Sequence, residues 1–281
     1  MSSSVYSAVV RLLRPMNMGI AFLTIAAGGV LSDFSAARWA EILLAAAAGA
    51  LIVGGGNAIN DCFDIEIDRL NRPERPLPAG ELSIRQATVL WMAFSLVGVT
   101  LSYMLTPWNL YISVFWVFTL YYYSTILKRT VLAGNLAIGI LTGMAFLFGA
   151  VVTDNPSTAL FPGIFAFLAN VTRELLKDVE DIDGDRQAGA MTLPVRHGAH
   201  ASLVTASVTV GVLVAATLLP YLLNIYTLSY LAIVLVVDAL LVFVIASWWK
   251  DGSRSNLRRL SGILKLAMVG GLAAIFAGSW P

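Results

Sequence analysis

An all-α bundle of membrane-spanning helices is the fold class this sequence predicts, and three observations lead to it. Of the 281 residues, 58% are hydrophobic and 12% charged, with a mean hydropathy of +0.79, whereas a soluble globular protein carries roughly 25% charged residues. Apolar sequence recurs in nine blocks, approximately 15–32, 40–60, 84–106, 108–127, 131–152, 158–177, 200–222, 227–249 and 261–280, each close to the roughly 20 residues a spanning helix needs. Nothing alternates with period two over about ten residues, as a barrel strand would, and helices are then what satisfies the backbone polar groups in lipid.

The blocks can be justified in order. Arg11 and Arg14 precede the first in the manner of a secretory signal, but the pattern continues to the C-terminus, so it is read as a retained first helix. Turn or charge signals separate the others, among them Ser32-Asp33, Thr106-Pro107, Asp154-Asn155-Pro156 and Lys250-Asp251-Gly252. The nine helices are expected to surround a central cavity as one domain, 1–281. Lys and Arg set the orientation. With the N-terminus inside, every one of the 18 basic residues except Arg38 falls in an inner loop or at the helix end beside it. The formal net charge of +1 gives no sign of a nucleic-acid partner, and the lone Cys62 allows neither an intramolecular disulfide nor a redox pair.

Acidic residues gather in two places on that inner side. Asp61, Asp64, Glu66, Asp68, Glu74 and Glu81 follow the second block, and Glu174, Asp178, Glu180, Asp181, Asp183 and Asp185 follow the sixth. In the first cluster Asn60, Asp64 and Asp68 are four apart, so a helix continuing through them stacks their oxygens along one face. Hard cations such as Mg²⁺ take carboxylate and carbonyl oxygens and are commonly shared with substrate phosphates. The bland alternative is a solvated loop whose acids balance Arg69, Arg72 and Arg75; against it, Asn60 and Asp61 close an apolar helix, where charge is costly.

In the second cluster Arg173, Lys177, Asp181 and Asp185 also recur every four residues, with Asp178 on nearly the same side. Ion pairing one turn apart explains part of this at about 0.3–0.5 kcal/mol per pair. It does not explain five acids between Asp178 and Asp185, which repel one another unless a cation sits among them. Arg72, Arg75, Lys128 and Arg129 supply donors suited to free diphosphate oxygens, or else simply obey the positive-inside rule. The segment from Asn71 to Gly80 holds three prolines and suits a rigid lid. Tyr121, Tyr122 and Tyr123 form either an aromatic belt at the membrane surface or a ring face for an allylic cation. His197 and His200 have no nucleophile partner and are read as structural, while Asp238, inside the eighth block, is a functional candidate by position alone.

At these residues the chain resembles the UbiA superfamily of intramembrane prenyltransferases. Asn60, Asp64 and Asp68 match the family's Asn-x₃-Asp-x₃-Asp motif, followed by Asn71-Arg72-Pro73 and Arg75-Pro76-Leu77-Pro78; Asp178, Asp181 and Asp185 match Asp-x₂-Asp-x₃-Asp. The resemblance implies Mg²⁺ held by Asn60, Asp64, Asp68, Asp178, Asp181 and Asp185 together with the diphosphate of a prenyl donor. It also implies a prenyl tail in an apolar channel open to lipid. Asn57, Asn60, Arg72, Tyr123, Lys128, Arg129, Asn135, Arg173 and Lys177 are the expected substrate-binding residues, and Asp61, Asp64, Asp68, Asp181 and Asp185 the catalytic ones. Either Asp61 or Asp64 would take the acceptor's proton. Within the family, 56–61 and 173–185 look most like members that move a geranylgeranyl group onto geranylgeranylglyceryl phosphate, a lipid-like acceptor. Members with aromatic acceptors share most of the same scaffold. Two rivals come from other classes. A CDP-alcohol phosphatidyltransferase needs an Asp-Gly-x₂-Ala-Arg segment that Asp183-Gly184-Asp185-Arg186 does not supply, and a transporter would place its acids near the bilayer midplane.

Overall fold

The computed structural model describes residues 5–279, without the side chains of Ala36, Leu70 and Asn71. Eleven α-helices make up the described chain, and no strand occurs in it. They are α1 (Val5–Leu13), α2 (Pro15–Ser32), α3 (Trp39–Asn71), α4 (Ile84–Tyr103), α5 (Pro107–Thr125), α6 (Ala133–Ala150), α7 (Leu160–Glu180), α8 (Ile182–Gln187), α9 (Leu193–Leu222), α10 (Leu228–Lys250) and α11 (Arg254–Ser279). Each expected block lies on a helix, and eight of the nine are long and apolar enough to cross a membrane. The ninth, α5, falls short because Asn109, Ser113, Thr119, Ser124, Thr125 and four tyrosines dilute its apolar residues.

Three boundaries differ from the sequence reading. Helix α3 runs on past the end of its apolar block at 60 to Asn71, because no breaker occurs before Pro73. Helix α9 starts at Leu193 on Pro194 and contains a break at Gly198, φ 86°, a backbone that glycine adopts without steric cost. The arm before the first block is itself a helix, α1, with Ala8, Leu12 and Leu13 buried and Val5 and Tyr6 exposed.

The chain forms two compact units, one of residues 1–127 with 144–160, the other of 128–143 with 161–281. In the first, α3 packs against α2, α4 and α5. Glycine allows the close approaches: a Cβ on Gly28 would run into the carbonyl of Phe146, and one on Gly149 into that of Ile25. Buried Asn109 donates to the carbonyl of Phe148 at 2.8 Å, and Trp116 packs on Phe148 at a tilt of 34° with ring centroids 4.7 Å apart. In the second unit α10 packs on α9 and α11, around a core that includes Leu175, Leu176, Val210, Val244, Trp248 and Leu260. Large apolar side chains such as Leu96, Phe118, Val208, Val236 and Leu266 are exposed, as a lipid-facing surface requires.

Candidate active site

The first acidic cluster sits on the last three turns of α3. Asn60 Nδ2 donates to Asp64 Oδ2 at 2.8 Å, which is the one-turn spacing realised as a contact. Asp61 and Asp68, seven residues apart and so on one face, are 2% and 5% exposed. Arg75 joins them, its Nη1 lying 2.5 Å from Asp68 Oδ2 and 3.5 Å from Asp61 Oδ1. A second guanidinium, from Arg14, also pairs with Asp61. Asn57, half-buried one turn earlier, donates from Nδ2 to the carbonyl of Leu13 at 2.9 Å. Both Asp61 and Asp68 therefore face cations of their own chain, while Asp64 is half-buried beside Asn60.

Arg75 reaches those acids because the loop after α3 is locally determined. The N–H of Arg72 closes the helix on the carbonyl of Asp68 at 2.8 Å, and Pro73 cannot extend it. Arg75 N–H turns back to the Arg72 carbonyl at 3.0 Å, the carbonyl of Pro76 accepts from Glu81 and Leu82, and Gly80 takes the left-handed turn position, φ 71°. Ser83 and Gln86 then form a reciprocal cap on α4. Arg72 itself is exposed, and the side chain of Asn71 lies outside the described residues.

The aromatic run divides. Tyr121 stacks on Trp91 at 5.6 Å and meets Phe63 edge-on at 5.8 Å, so Phe63, Trp91 and Tyr121 form one ring cluster. Tyr123 is half-buried next to it in sequence. Trp91 and Phe63 escaped the sequence reading because a lone ring in an apolar helix carries no signal of its own.

The second cluster belongs to the other unit. Asn135, 6% exposed near the start of α6, donates from Nδ2 to Asp178 Oδ2 at 2.7 Å. Glu174, 8% exposed, accepts from Arg173 Nη1 at 2.9 Å and from Lys177 Nζ at 2.9 and 3.2 Å. Arg173 Nη1 also lies 3.5 Å from Asn170 Oδ1, and Asn170 donates to Thr142 Oγ1 at 2.8 Å. Arg173 Nε is buried with no hydrogen-bond partner among the described residues. Lys128 and Arg129 lie on a short turn at the start of this unit, Lys128 half-buried and Arg129 exposed, with the Arg129 carbonyl accepting from Met191 N–H at 2.8 Å.

The expected continuous stripe from Arg173 to Asp185 is interrupted. Helix α7 ends at Glu180, Asp181 takes φ −96° and ψ 7°, and α8 starts at Ile182. Crowded acids and Gly184 give this stretch little helix propensity. Asp181 is exposed, and Asp185 is half-buried and accepts from Thr192 Oγ1 at 3.0 Å. Burial pushes the Asp185 carboxyl above the ordinary carboxylate range, opposed by the Thr192 hydroxyl and reinforced by the Asp181 charge. Two acids of the run are structural ion pairs with α11: Glu180 with Arg258 at 2.7 Å, and Asp183 with Arg254. His200 packs edge-on against Trp249 at 5.2 Å, a structural role. Asp238 Oδ2 accepts from Thr217 Oγ1 at 2.9 Å.

Among the described residues no three His, Cys, Asp or Glu side chains converge on one point. The donors offered are all hard oxygens, with the Asn60 amide beside Asp64 and the Asn135 amide beside Asp178. This suits Mg²⁺, which keeps several waters and is usually held by one or two carboxylates plus substrate phosphates.

Helices long and apolar enough to cross a membrane, with basic side chains set among the carboxylates at their ends, define a multi-pass membrane protein. The UbiA prenyltransferase family model matches residues 21–269, and the chain belongs to that family. It is 36% identical over 274 residues to digeranylgeranylglyceryl phosphate synthase of Methanopyrus kandleri, covering 96% of this chain and 98% of the relative. The same enzyme of Methanothermobacter thermautotrophicus is 36% identical over 279 residues, covering 96% and 95%. A solved structure concerned with digeranylgeranylglyceryl phosphate synthase in membranes superposes with a TM-score of 0.85 at 32% identity, covering 98% of both chains. A UbiA homologue from Archaeoglobus fulgidus, bound to GPP and Mg²⁺, shares the fold at a TM-score of 0.69 and 20% identity. The protein is a prenyltransferase, and the transporter and phosphatidyltransferase readings fall away.

Proposed function

We propose that this chain transfers a geranylgeranyl group from geranylgeranyl diphosphate to the free hydroxyl of geranylgeranylglyceryl phosphate, with Mg²⁺ as cofactor, as a step in ether-lipid synthesis. The observation that carries this choice of acceptor is the near full-length similarity to digeranylgeranylglyceryl phosphate synthases. The clamp on α7 supports it: Glu174 fixes Arg173 and Lys177, and the unpartnered Arg173 Nε–H suits a phosphate oxygen. The Lys and Arg distribution supports a cytoplasmic N-terminus and active site, and residues 1–281 act as one catalytic domain.

In this reading Asp64, Asp68, Asp178, Asp181 and Asp185, with Asn60, hold the magnesium, as the oxygen-only donor set allows. When bound, the metal supplies Lewis acidity that neutralises charge on the departing diphosphate. Arg72, Lys128 and Arg129 donate to its free oxygens, with bonds that strengthen as the C–O bond breaks. Arg173 and Lys177 orient the acceptor phosphate, which brings the acceptor hydroxyl to the allylic carbon. Phe63, Trp91 and Tyr121, with Tyr123, give that carbon a ring-lined, water-poor surround. Asn57 and Asn135 hold the ligand-bearing helices in register. Asp61, engaged by two guanidiniums, is assigned to anchoring, and Asp64 to the acceptor's proton.

The test is to incubate purified protein with radiolabelled geranylgeranyl diphosphate, with and without Mg²⁺, offering geranylgeranylglyceryl phosphate or 4-hydroxybenzoate. Mg²⁺-dependent product from the lipid acceptor alone is expected. Product from 4-hydroxybenzoate, with none from the lipid, would transfer the assignment to an aromatic acceptor.

A further inference from the structure

Resting on that reading, we infer that Arg14, at the junction of α1 and α2, is a positioning residue that sets the first aspartate cluster, making the N-terminal helix a working part of the site. Arg14 has φ 53° and ψ 73°, and Pro15 follows it. A side chain with a Cβ is strained in this left-handed region, and a following proline disfavours helical backbone further. The only other non-glycine with positive φ among the described residues is Asn224, a residue type that tolerates it. Strain of this kind persists where surrounding contacts over-determine it, and those contacts can be named.

The Arg14 guanidinium pairs with Asp61, which is 2% exposed. The carbonyl of the preceding Leu13, freed at the end of α1, accepts from Asn57 on α3 at 2.9 Å. Arg11 pairs with Glu81 and reaches the Glu74 carbonyl at 3.4 Å, so α1 also fastens the loop after α3 at both its ends. Ala8 and Leu12, fully buried, pack with Ala58, Leu77, Leu82 and Ala87. A short helix thus touches the aspartate helix, the loop carrying Arg75 and the start of α4.

The charges show why Arg14 matters to the ligands. Arg14 and Arg75 balance Asp61 and Asp68 within one buried network. Without Arg14, Arg75 alone faces two carboxylates, and its 3.5 Å approach to Asp61 competes with its 2.5 Å contact to Asp68. Asp61 would draw Arg75 across, displacing Asp68 from the geometry in which it serves magnesium. Arg14 therefore acts through Asp61 and Arg75 rather than on substrate.

The experiment uses the full-length protein in detergent with Arg14→Gly, Arg14→Lys and the neutral pair Arg14→Gln with Asp61→Asn. Glycine accepts the backbone but removes the cation, so a purely conformational role predicts wild-type behaviour or better. We expect Arg14→Gly to need about 10-fold more Mg²⁺ for half-maximal activity and to lose up to about 100-fold in kcat/KM, the scale of a 1 Å misplacement. Its thermal midpoint should stay near wild type, with Arg14→Lys recovering most of the loss. Amide hydrogen exchange over 72–82 should quicken in Arg14→Gly and not elsewhere. Unchanged exchange there, or unchanged Mg²⁺ dependence in Arg14→Gly, would overturn the inference. Exchange that quickens in a protein whose wild type fails to prenylate the lipid acceptor would count against the proposed function and leave the positioning role standing. Should the single variants misfold, the neutral pair, which removes the competing Asp61 charge together with the cation and so leaves Arg75 on Asp68, must fold and keep a Mg²⁺ requirement within about twofold of wild type; a Mg²⁺ defect in it as large as that expected of Arg14→Gly would refute the inference.

Discussion

Replacing Asn135 by Ala isolates one contact of the second aspartate cluster. The Asn135 amide donates to Asp178 at 2.7 Å from a position only 6% exposed, so water does not readily replace it. A hydrogen bond to a charged group is worth about 1.5–3 kcal/mol, and each 1.36 kcal/mol in a barrier is tenfold in rate. If Asp178 works only in the orientation this bond fixes, Asn135→Ala should lower kcat/KM by about 10- to 150-fold. The protein should remain folded, because the deletion removes a side chain of modest size from the edge of a well-packed helix. Initial rates of transfer from radiolabelled geranylgeranyl diphosphate, measured across Mg²⁺ concentrations, read the effect. Asn135→Asp should be worse, since it sets carboxylate against carboxylate, and combining it with Asp178→Asn tests whether the polarity of the bond can be exchanged. An Asn135→Ala enzyme within twofold of wild type at every Mg²⁺ concentration would refute the reasoning.

Other perturbations separate the parts of the site from the scaffold. Glu174→Gln removes the charge that holds Arg173 and Lys177; it should raise the KM for the lipid acceptor about tenfold or more while the donor KM changes little, as two-substrate kinetics would show. Gly149→Ala introduces a Cβ against the carbonyl of Ile25 and 2.9 Å from Gly29 N. It should destabilise by about 1–3 kcal/mol in thermal unfolding, whereas Gly262→Ala, where nothing lies within 4 Å, should be neutral or slightly stabilising.

The fold was legible because hydropathy at this density leaves few choices. Blocks of apolar residues long enough to span a bilayer, with turn residues between them, marked nearly every long helix. Where the reading stopped short, a local feature explains it. Polar Asp61–Asp68 lies beyond the apolar block yet continues α3, as the four-residue spacing of Asn60, Asp64 and Asp68 predicts, and Pro73 is the first true stop. The α7 stripe looked continuous yet breaks at Asp181, because periodicity ignores the repulsion of adjacent acids and the cost of Gly184.

At the site, residue types were readable and partners were not. Spacing gave Asn60 with Asp64, a contact within one turn. It could not give Asn135 with Asp178 or Arg14 with Asp61, which link residues more than forty apart in the chain, nor Arg75 with Asp68, which are joined through a loop rather than a helix face. Nor could it distinguish the acids of the second cluster that pair with α11, Glu180 and Asp183, from those left for a ligand. Arg14 was the hardest: as sequence it is one more inward-facing cation, and only its left-handed backbone and buried partner mark it out.

Binding of a non-transferable geranylgeranyl diphosphate analogue, with and without Mg²⁺, to wild type, Asp64→Asn, Asp181→Asn and the double variant tests the joint use of both clusters most directly. The prediction is Mg²⁺-dependent binding in wild type, a loss of that dependence in either single variant, and no further loss in the double, because removing either partner already dismantles a shared site. Losses that add in the double variant, or tight binding that ignores Mg²⁺ throughout, would contradict it.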